Sequence, residues 1–298
     1  MEINEEIDVL LATYNGEKYI EEFMQSLTKQ KQVKINLFVS DDGSTDNTLR
    51  IVASFKGNFN SLQFYKVKNF GPAKNFLSML EYSNANYIAF ADQDDIWLEN
   101  HLIKSIERIQ KYTNEPCLSF TNVLEFGENR AKQIWPKKYP VNLNCFFENP
   151  ARGCTQVFNK ELGNLLRKVE PSYIIMHDWM AVLISKYCGK MQHTFKPEVF
   201  YRIHNNNAIG KGMPLHRKLL KLRHFRRMAK NKTFIQLNYF FNNFDNYLNE
   251  EGKYAKNRFY KLQSSRNIVS RYFILKMLNR NRIGYIENLL FSTRLLFK

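Results

Sequence analysis

Short apolar runs and amphipathic stretches alternate along the first two thirds of the chain. Ile7-Asp8-Val9-Leu10-Leu11-Ala12-Thr13 reads as a mostly apolar strand, and after Tyr14-Asn15-Gly16 the residues Ile20, Phe23, Met24 and Leu27 recur at the spacing of one helical face. The order then repeats. Ile35 to Val39 forms the next strand, Ser40-Asp41-Asp42-Gly43-Ser44 its loop, and a helix starts near Asp46. A third strand near Leu62 to Val67 leads through Asn69-Phe70-Gly71-Pro72 into a helix, where Pro72 suits the first helical position and Phe76, Leu77 and Leu80 supply the apolar face. A fourth strand, Tyr87 to Ala91, runs directly into Asp92-Gln93-Asp94-Asp95. Strands alternating with amphipathic helices predict an α/β fold: a mostly parallel, Rossmann-like sheet with helices on both faces.

Such sheets bind ligands beyond the carboxyl ends of their strands. Thr13-Tyr14-Asn15, Asp41-Asp42 and Asp92 to Asp95 each follow the last apolar residue of a strand, so the fold gathers five carboxylates on one rim. Like charges so close raise one another's pKa unless a cation neutralises them, and a hard, oxygen-seeking ion, Mn²⁺ or Mg²⁺, answers that need. For Asp41 to Ser44 an ordinary turn and helix cap is an equal reading. Neither G-x-G-x-x-G nor G-x-x-x-x-G-K-[ST] occurs, which disfavours a dinucleotide oxidoreductase or a P-loop ATPase. A nucleotidyltransferase would want a glycine-rich, basic first loop, which is missing after Leu11.

Composition changes the picture at one place. The 298 residues carry 44 Lys+Arg against 28 Asp+Glu, a net charge of +16. Residues 1–210 hold 24 of each sign, which leaves 44 − 24 = 20 basic and 28 − 24 = 4 acidic residues in 211–298. With Gly210, Gly212 and Pro214 interrupting regular structure there, two units are expected, 1–210 and 211–298. In the second, Leu215, Leu219, Leu222 and Phe225 line one stripe of an otherwise cationic helix, and Phe234, Leu237, Phe241, Phe244 and Leu248 repeat likewise. Two further apolar-basic segments follow, around 265–280 and 283–297. Cationic amphipathic helices suit an anionic membrane surface. A helical bundle packed on the first unit with a solvated basic face is the other reading. No nucleic-acid-binding motif is visible, so no nucleic acid is expected as a partner.

No apolar run approaches the length of a membrane span. The acidic start, Met1 to Glu6, does not look like a secretory signal, and a cytoplasmic protein is expected. Cys117, Cys145, Cys154 and Cys188 lack metal-ligand spacing and are read as buried, reduced thiols. His101 and His193 are read as surface residues, and Trp97 as a lid anchor or a core residue.

The motifs taken together resemble the family-2 glycosyltransferases of the GT-A fold. They are Val-Leu-Leu-Ala-Thr-Tyr-Asn-Gly at 9–16, Val-Ser-Asp-Asp-Gly-Ser-Thr-Asp-Asn-Thr at 39–48, Asn69-x-Gly71, and Ala-Asp-Gln-Asp-Asp-x-Trp at 91–97. Arg152-Gly153-Cys154, His177-Asp178-Trp179 and Tyr201-Arg202-Ile203-His204, with Asn207 and Gly210 behind, resemble the branch containing bacterial rhamnosyltransferases of cell-surface polysaccharide assembly. The resemblance spans about 1–210. It implies a metal-dependent enzyme that moves a sugar from a nucleotide-sugar donor, dTDP-rhamnose or a UDP-hexose, to a glycan acceptor that is lipid-linked. Thr13, Tyr14, Asn15, Asp41 and Asn69 would contact the donor, Asp92 its ribose, Asp94 the metal and Asp95 the donor sugar. His204 would reach the metal or diphosphate, and Arg202 would pair with a phosphate.

Direct attack opposite the departing nucleotide would invert the anomeric centre, and it needs a base for the acceptor hydroxyl. Asp178, flanked by Ile174-Ile175-Met176 and Trp179-Met180-Ala181-Val182, is the candidate, placed at the mouth of a pocket. By local sequence it serves equally well as a helix N-cap. With the basic unit docked on a membrane, the enzyme would sit at the inner face of the cell membrane. The competing class is a membrane- or nucleic-acid-surface binding protein with a non-catalytic GT-A domain, and intact Asp92, Asp94 and Asp178 count against it.

Overall fold

Leu10 in the first strand is fully buried, and so are its neighbours Val9 and Leu11. A strand covered on both faces reads as a continuous apolar run, and β1 (Glu5–Thr13) lies between two parallel neighbours, β2 (Val33–Asp41) and β4 (Tyr87–Asp92). The computed structural model describes residues 4–127, 130–135, 145–204, 232–265 and 267. Its sheet has nine strands in the order β3-β2-β1-β4-β8-β6-β9-β5, with β7 beside β6. The other strands are β3 (Ser61–Lys66), β5 (Ile96–Trp97), β6 (Cys117–Gly127), β7 (Arg130–Trp135), β8 (Val157–Asn159) and β9 (Lys190–Arg202). From β3 to β4 the sheet is parallel as expected; beyond it β8 runs antiparallel to both β4 and β6, and β9 returns parallel to β6.

The pleat sorts the apolar residues into two cores. Leu10, Phe38, Phe90, Phe120 and Phe158 face one side. Val9, Leu11, Leu37, Val39, Ala89 and Ala91 face the other. On the second side pack α1 (Ile20–Thr28), α2 (Thr48–Ser54) and α4 (His101–Ile109), and the predicted stripe Ile20, Phe23, Met24, Leu27 is fully buried. On the first side pack α3 (Gly71–Met79), α5 (Lys160–Leu166) and α6 (His177–Cys188). Pro72 lies in the first turn of α3, one residue after its first position at Gly71, where a proline gives up an N–H that had no helical partner.

Two C-terminal helices, α7 (232–243) and α8 (Glu250–Ser264), join that first core. Leu237, Phe241 and Phe244 are buried at the predicted spacing, and Phe241 and Phe259 lie 5.7 and 6.2 Å from the ring of Phe146. Asn249 starts α8: its side chain accepts the Gly252 N–H at 2.8 Å and donates to the carbonyls of Lys186 and Gly189. Gly252 is required there, since a Cβ would lie 2.4 Å from the Tyr187 carbonyl oxygen. The expected boundary at 210–214, the cationic stripe from Leu215 to Phe225, nearly all of 265–280 and all of 283–297 lie outside the described residues.

All four cysteines are buried. Trp97 is a core residue, 2% exposed and packed edge-on to Phe23 at 5.5 Å. The two histidines read as surface residues are not. His101 is fully buried beside Glu198, 3.5 Å away, within a network that Arg108 completes. His193 is half-buried, stacked on Phe120 and bonded to Asn122 at 2.9 Å. Both lie under neighbouring strands that local sequence does not reveal.

Candidate active site

Parallel register brings the strand ends level. Thr13 of β1 stands opposite Asp41 of β2, and Ala12 opposite Asp92 of β4. A cleft of about 520 Å³ opens beyond them, lined among others by Thr13, Tyr14, Asp42, Asp92, Asp94, Arg152, Asp178 and His204.

Several of the residues expected at the donor build the loops around this cleft. Asp41 is 2% exposed, accepting the Thr13 hydroxyl at 2.8 Å, the Gly43 and Ser44 N–H groups at 3.1 and 2.8 Å, and the Ser44 hydroxyl. Its oxygens are thus consumed by the turn, and it does not line the cleft. Asp42 does, while accepting the N–H groups of Phe70 and Gly71 at 2.9 and 3.0 Å. Asn15 adopts a left-handed backbone (φ 43°), and its side chain accepts the Thr45 N–H at 2.9 Å. Asn69 is also left-handed (φ 57°), a conformation asparagine tolerates. Neither Asn15 nor Asn69 lines the cleft.

The acids after β4 divide in the same way. Asp92 and Asp94 line the cleft, and Asp94 meets His204 Nε2 at 2.6 Å. His204 is held by its ring, stacked 5.0 Å from that of Tyr19. Asp95 lies beneath, 1% exposed, with Oδ1 accepting the Arg202 N–H at 3.0 Å. The Arg202 side chain turns away from the cleft: Nε donates to the Asp94 carbonyl at 3.0 Å and the guanidinium pairs with Glu22 across the Tyr19 ring. It braces the acid loop from behind.

At the cleft's other side Asp178 is 7% exposed, a floor residue rather than one at the mouth. The N-cap of α6 is Met176, so Asp178 sits inside the first turn and is not the cap. The Trp179 N–H donates to its Oδ1 at 2.7 Å. Burial, opposed by hydrogen bonds from Trp179, Gly153 and Asn149 and by the charge of Arg152, raises its pKa to about 6. Burial first, then the charges of Asp94 and Asp178, also raises Asp92, and burial with Asp94 and Asp92 raises Asp95 well above the carboxylate range.

Arg152 lines the cleft as well, a residue to which local sequence assigns no role. Its guanidinium bonds the buried Glu125 at 2.7 Å and lies 3.9 Å from the centre of the Tyr201 ring. Glu125 is 27 residues away in sequence, so no local pattern could have paired the two.

A divalent metal fits these residues. Oδ2 of Asp95 is buried with no N–H or O–H partner among the described residues, and the Cys154 thiol is the neighbour of that carboxyl. Oxygens of Asp92 and Asp95 and the Cys154 sulfur lie within 4.8 Å of one another. Burial and the neighbouring carboxylates hold the Cys154 thiol protonated, so it offers no thiolate. The remaining donors, carboxylate oxygens and one imidazole, suit Mn²⁺ or Mg²⁺.

Residues 8–164 match the family model "Glycosyl transferase family 2". A second model, "Starch synthase catalytic domain", matches residues 124–244, less than half of the chain. The dTDP-rhamnosyl transferase RfbG of Shigella flexneri is 33% identical over 227 residues, 71% of this chain and 78% of the relative. The Escherichia coli protein named UDP-Glc:alpha-D-GlcNAc-diphosphoundecaprenol beta-1,3-glucosyltransferase WfgD is 30% identical over 53% of this chain and 62% of its own. Among solved structures, Staphylococcus aureus TarS 1–349 in complex with UDP-GlcNAc superimposes with a TM-score of 0.55 at 18% identity, covering 92% of this chain and 81% of that one. The mannosyltransferase PcManGT of Pyrobaculum calidifontis, in complex with GDP-Man and Mn²⁺, gives 0.52 at 14% identity, covering 99% and 87%. With a GT-A sheet, strand-end acids opposite a buried aspartate, and that extent of identity, the chain belongs to glycosyl transferase family 2 and is a glycosyltransferase.

Proposed function

We propose that the enzyme transfers a sugar from dTDP-rhamnose or a UDP-hexose to a hydroxyl of a glycan acceptor in cell-surface polysaccharide synthesis, with a divalent metal and with inversion. The observation that carries this reading is that Asp92, Asp94 and His204 share one cleft with Asp178, whose carboxyl is buried and raised to about 6. Donor choice is supported by the printed activities of the relatives, a dTDP-rhamnosyl transferase and a UDP-Glc-dependent glucosyltransferase. The second name includes a diphosphoundecaprenol acceptor, which supports a lipid-linked one here.

The residues divide the work. Thr13, Tyr14 and Asp42 form the wall for the nucleotide, and Asp92 holds the ribose. Asp94 and His204 would hold the metal, which would neutralise charge on the diphosphate. Asp178 removes the proton of the attacking hydroxyl; its Oδ1 is fixed by the Trp179 N–H, so the carboxylate need not reorient. Arg152, anchored by Glu125, keeps positive charge beside Asp92 and Asp178 and favours their ionised forms. The test is a thermal-shift panel of UDP-, dTDP- and GDP-sugars with Mn²⁺, followed by NMR of the product's anomeric configuration. Stabilisation by a single nucleotide class and an inverted product are expected; no stabilisation by any donor, or a retained configuration, refutes the reading.

The basic C-terminal region would dock the enzyme on the inner face of the cell membrane. Its 20 basic against 4 acidic residues support this; α7 and α8 turn their apolar sides to the catalytic core and carry five basic and two acidic residues between them. Among the described residues no helix is long and apolar enough to cross a membrane. Vesicle flotation decides it: equal binding to neutral and anionic vesicles rules docking out.

A further inference from the structure

Beside the proposed base lies a second polar side chain with nothing to bond. His177 is 3% exposed, and neither ring nitrogen has a hydrogen-bond partner among the described residues. Its ring stacks on Phe76 at 4.0 Å and meets Phe90 at 4.6 Å in a perpendicular arrangement. Leaving such a group unpaired costs stability unless a ligand completes it.

What lies against the imidazole is a glycine. A Cβ built on Gly153 would sit 3.4 Å from His177 Nε2, 3.5 Å from Asp178 Cβ and 3.7 Å from Asp178 Oδ2, its nearest neighbours outside the adjoining residues. Gly153 thus puts no side chain between the imidazole and the carboxylate, and Gly153, His177 and Asp178 all line the cleft. Burial pulls the His177 pKa down to about 3, so at neutral pH the ring carries one N–H donor and one lone pair and no charge.

We propose that the recess over Gly153 receives a sugar hydroxyl hydrogen-bonded to His177 Nε2 beside Asp178, so that His177 reads the hydroxyl pattern of a substrate sugar. A hydroxyl suits the recess because it is no larger than a methyl group and both donates and accepts. A phosphate does not, since the imidazole is neutral and the adjacent carboxylate repels an anion. This inference rests on the glycosyl-transfer reading and adds to it the group that recognises the sugar.

Two variants of the full chain test it. His177→Phe keeps the aromatic packing and removes both nitrogens. Gly153→Ala fills the recess at ordinary contact distances, and no left-handed backbone at Gly153 opposes the change. Calorimetry with Mn²⁺ measures UDP, dTDP, UDP-glucose and dTDP-rhamnose, and kinetics use an alkyl N-acetylglucosaminyl diphosphate as acceptor. If the hydroxyl belongs to the donor, free nucleotides bind both variants as they bind wild type, while the nucleotide-sugar binds about five- to tenfold more weakly. If it belongs to the acceptor, donor affinity and slow donor hydrolysis persist, and the acceptor KM rises by a similar factor. Variants equal to wild type in donor affinity and acceptor KM overturn the proposal, as does a parallel loss of free-nucleotide affinity. A wild-type chain that binds none of the four probes sinks the transfer reading as well.

Discussion

The side-chain amide of Gln93 clasps the backbone of Tyr14 from both sides: Nε2 donates to the carbonyl at 2.9 Å and Oε1 accepts the N–H at 3.0 Å. The loop after β1 is thereby locked to the acid loop after β4, 79 residues later. Gly16 completes the fit, since a Cβ there would fall 2.2 Å from Gln93 Oε1. Gln93→Ala is expected to weaken nucleotide-sugar binding by about 1 kcal/mol, read by calorimetry, with little change in Tm because the pair is exposed. Unchanged donor affinity would show that the clasp does not organise the site.

Asp178→Asn keeps the size of the side chain and removes its basicity. Transfer should fall by about 10²–10⁴-fold while donor affinity stays near wild type. Turnover within a few-fold of wild type would dismiss Asp178 as the base.

With the Asp178 pKa near 6, the deprotonated, active form is lost as pH falls. The rate under kcat/KM conditions should drop about tenfold per pH unit below that value. Arg152 lowers this pKa, so Arg152→Gln combined with Glu125→Gln, which avoids leaving a buried carboxylate unpaired, should move the acid limb to higher pH. A limb that stays in place argues against electrostatic support from Arg152.

Asp94→Ala and His204→Ala should each reduce the gain in donor affinity that Mn²⁺ provides, the first abolishing it. Equal calorimetric affinities with and without the ion in wild type would remove the metal from the reading.

Phe259 of α8 is fully buried among Phe146, Phe234 and Phe241. Phe259→Ala should cost about 3–5 kcal/mol and lower the whole chain's urea midpoint in a single transition. A separate early transition, with the main one unmoved, would mean that α8 melts independently of the catalytic core.

Element order was legible in the sequence because apolar spacing reports it directly: the stripe from Ile20 to Leu27 and the runs of β1, β2 and β4 appear as predicted. The C-terminal pattern at Leu237, Phe241 and Phe244 was legible too, but pattern alone does not name the surface that a helix covers. Phe146 and Tyr187 supply that surface from other parts of the chain.

By itself the sequence determined that several acids follow parallel strands, because strands of one direction carry their carboxyl ends to one rim. Which acids face the cleft was decided only by tertiary structure. Asp41 and Asp42 are adjacent in sequence, yet one is consumed by its own turn and the other lines the cleft. Asp94 meets a histidine 110 residues away, while Asp95 turns inward to the backbone of Arg202. Successive side chains point in different directions, and their partners arrive from distant strands. Local spacing therefore announces the chemistry, while long-range packing chooses the atoms that perform it.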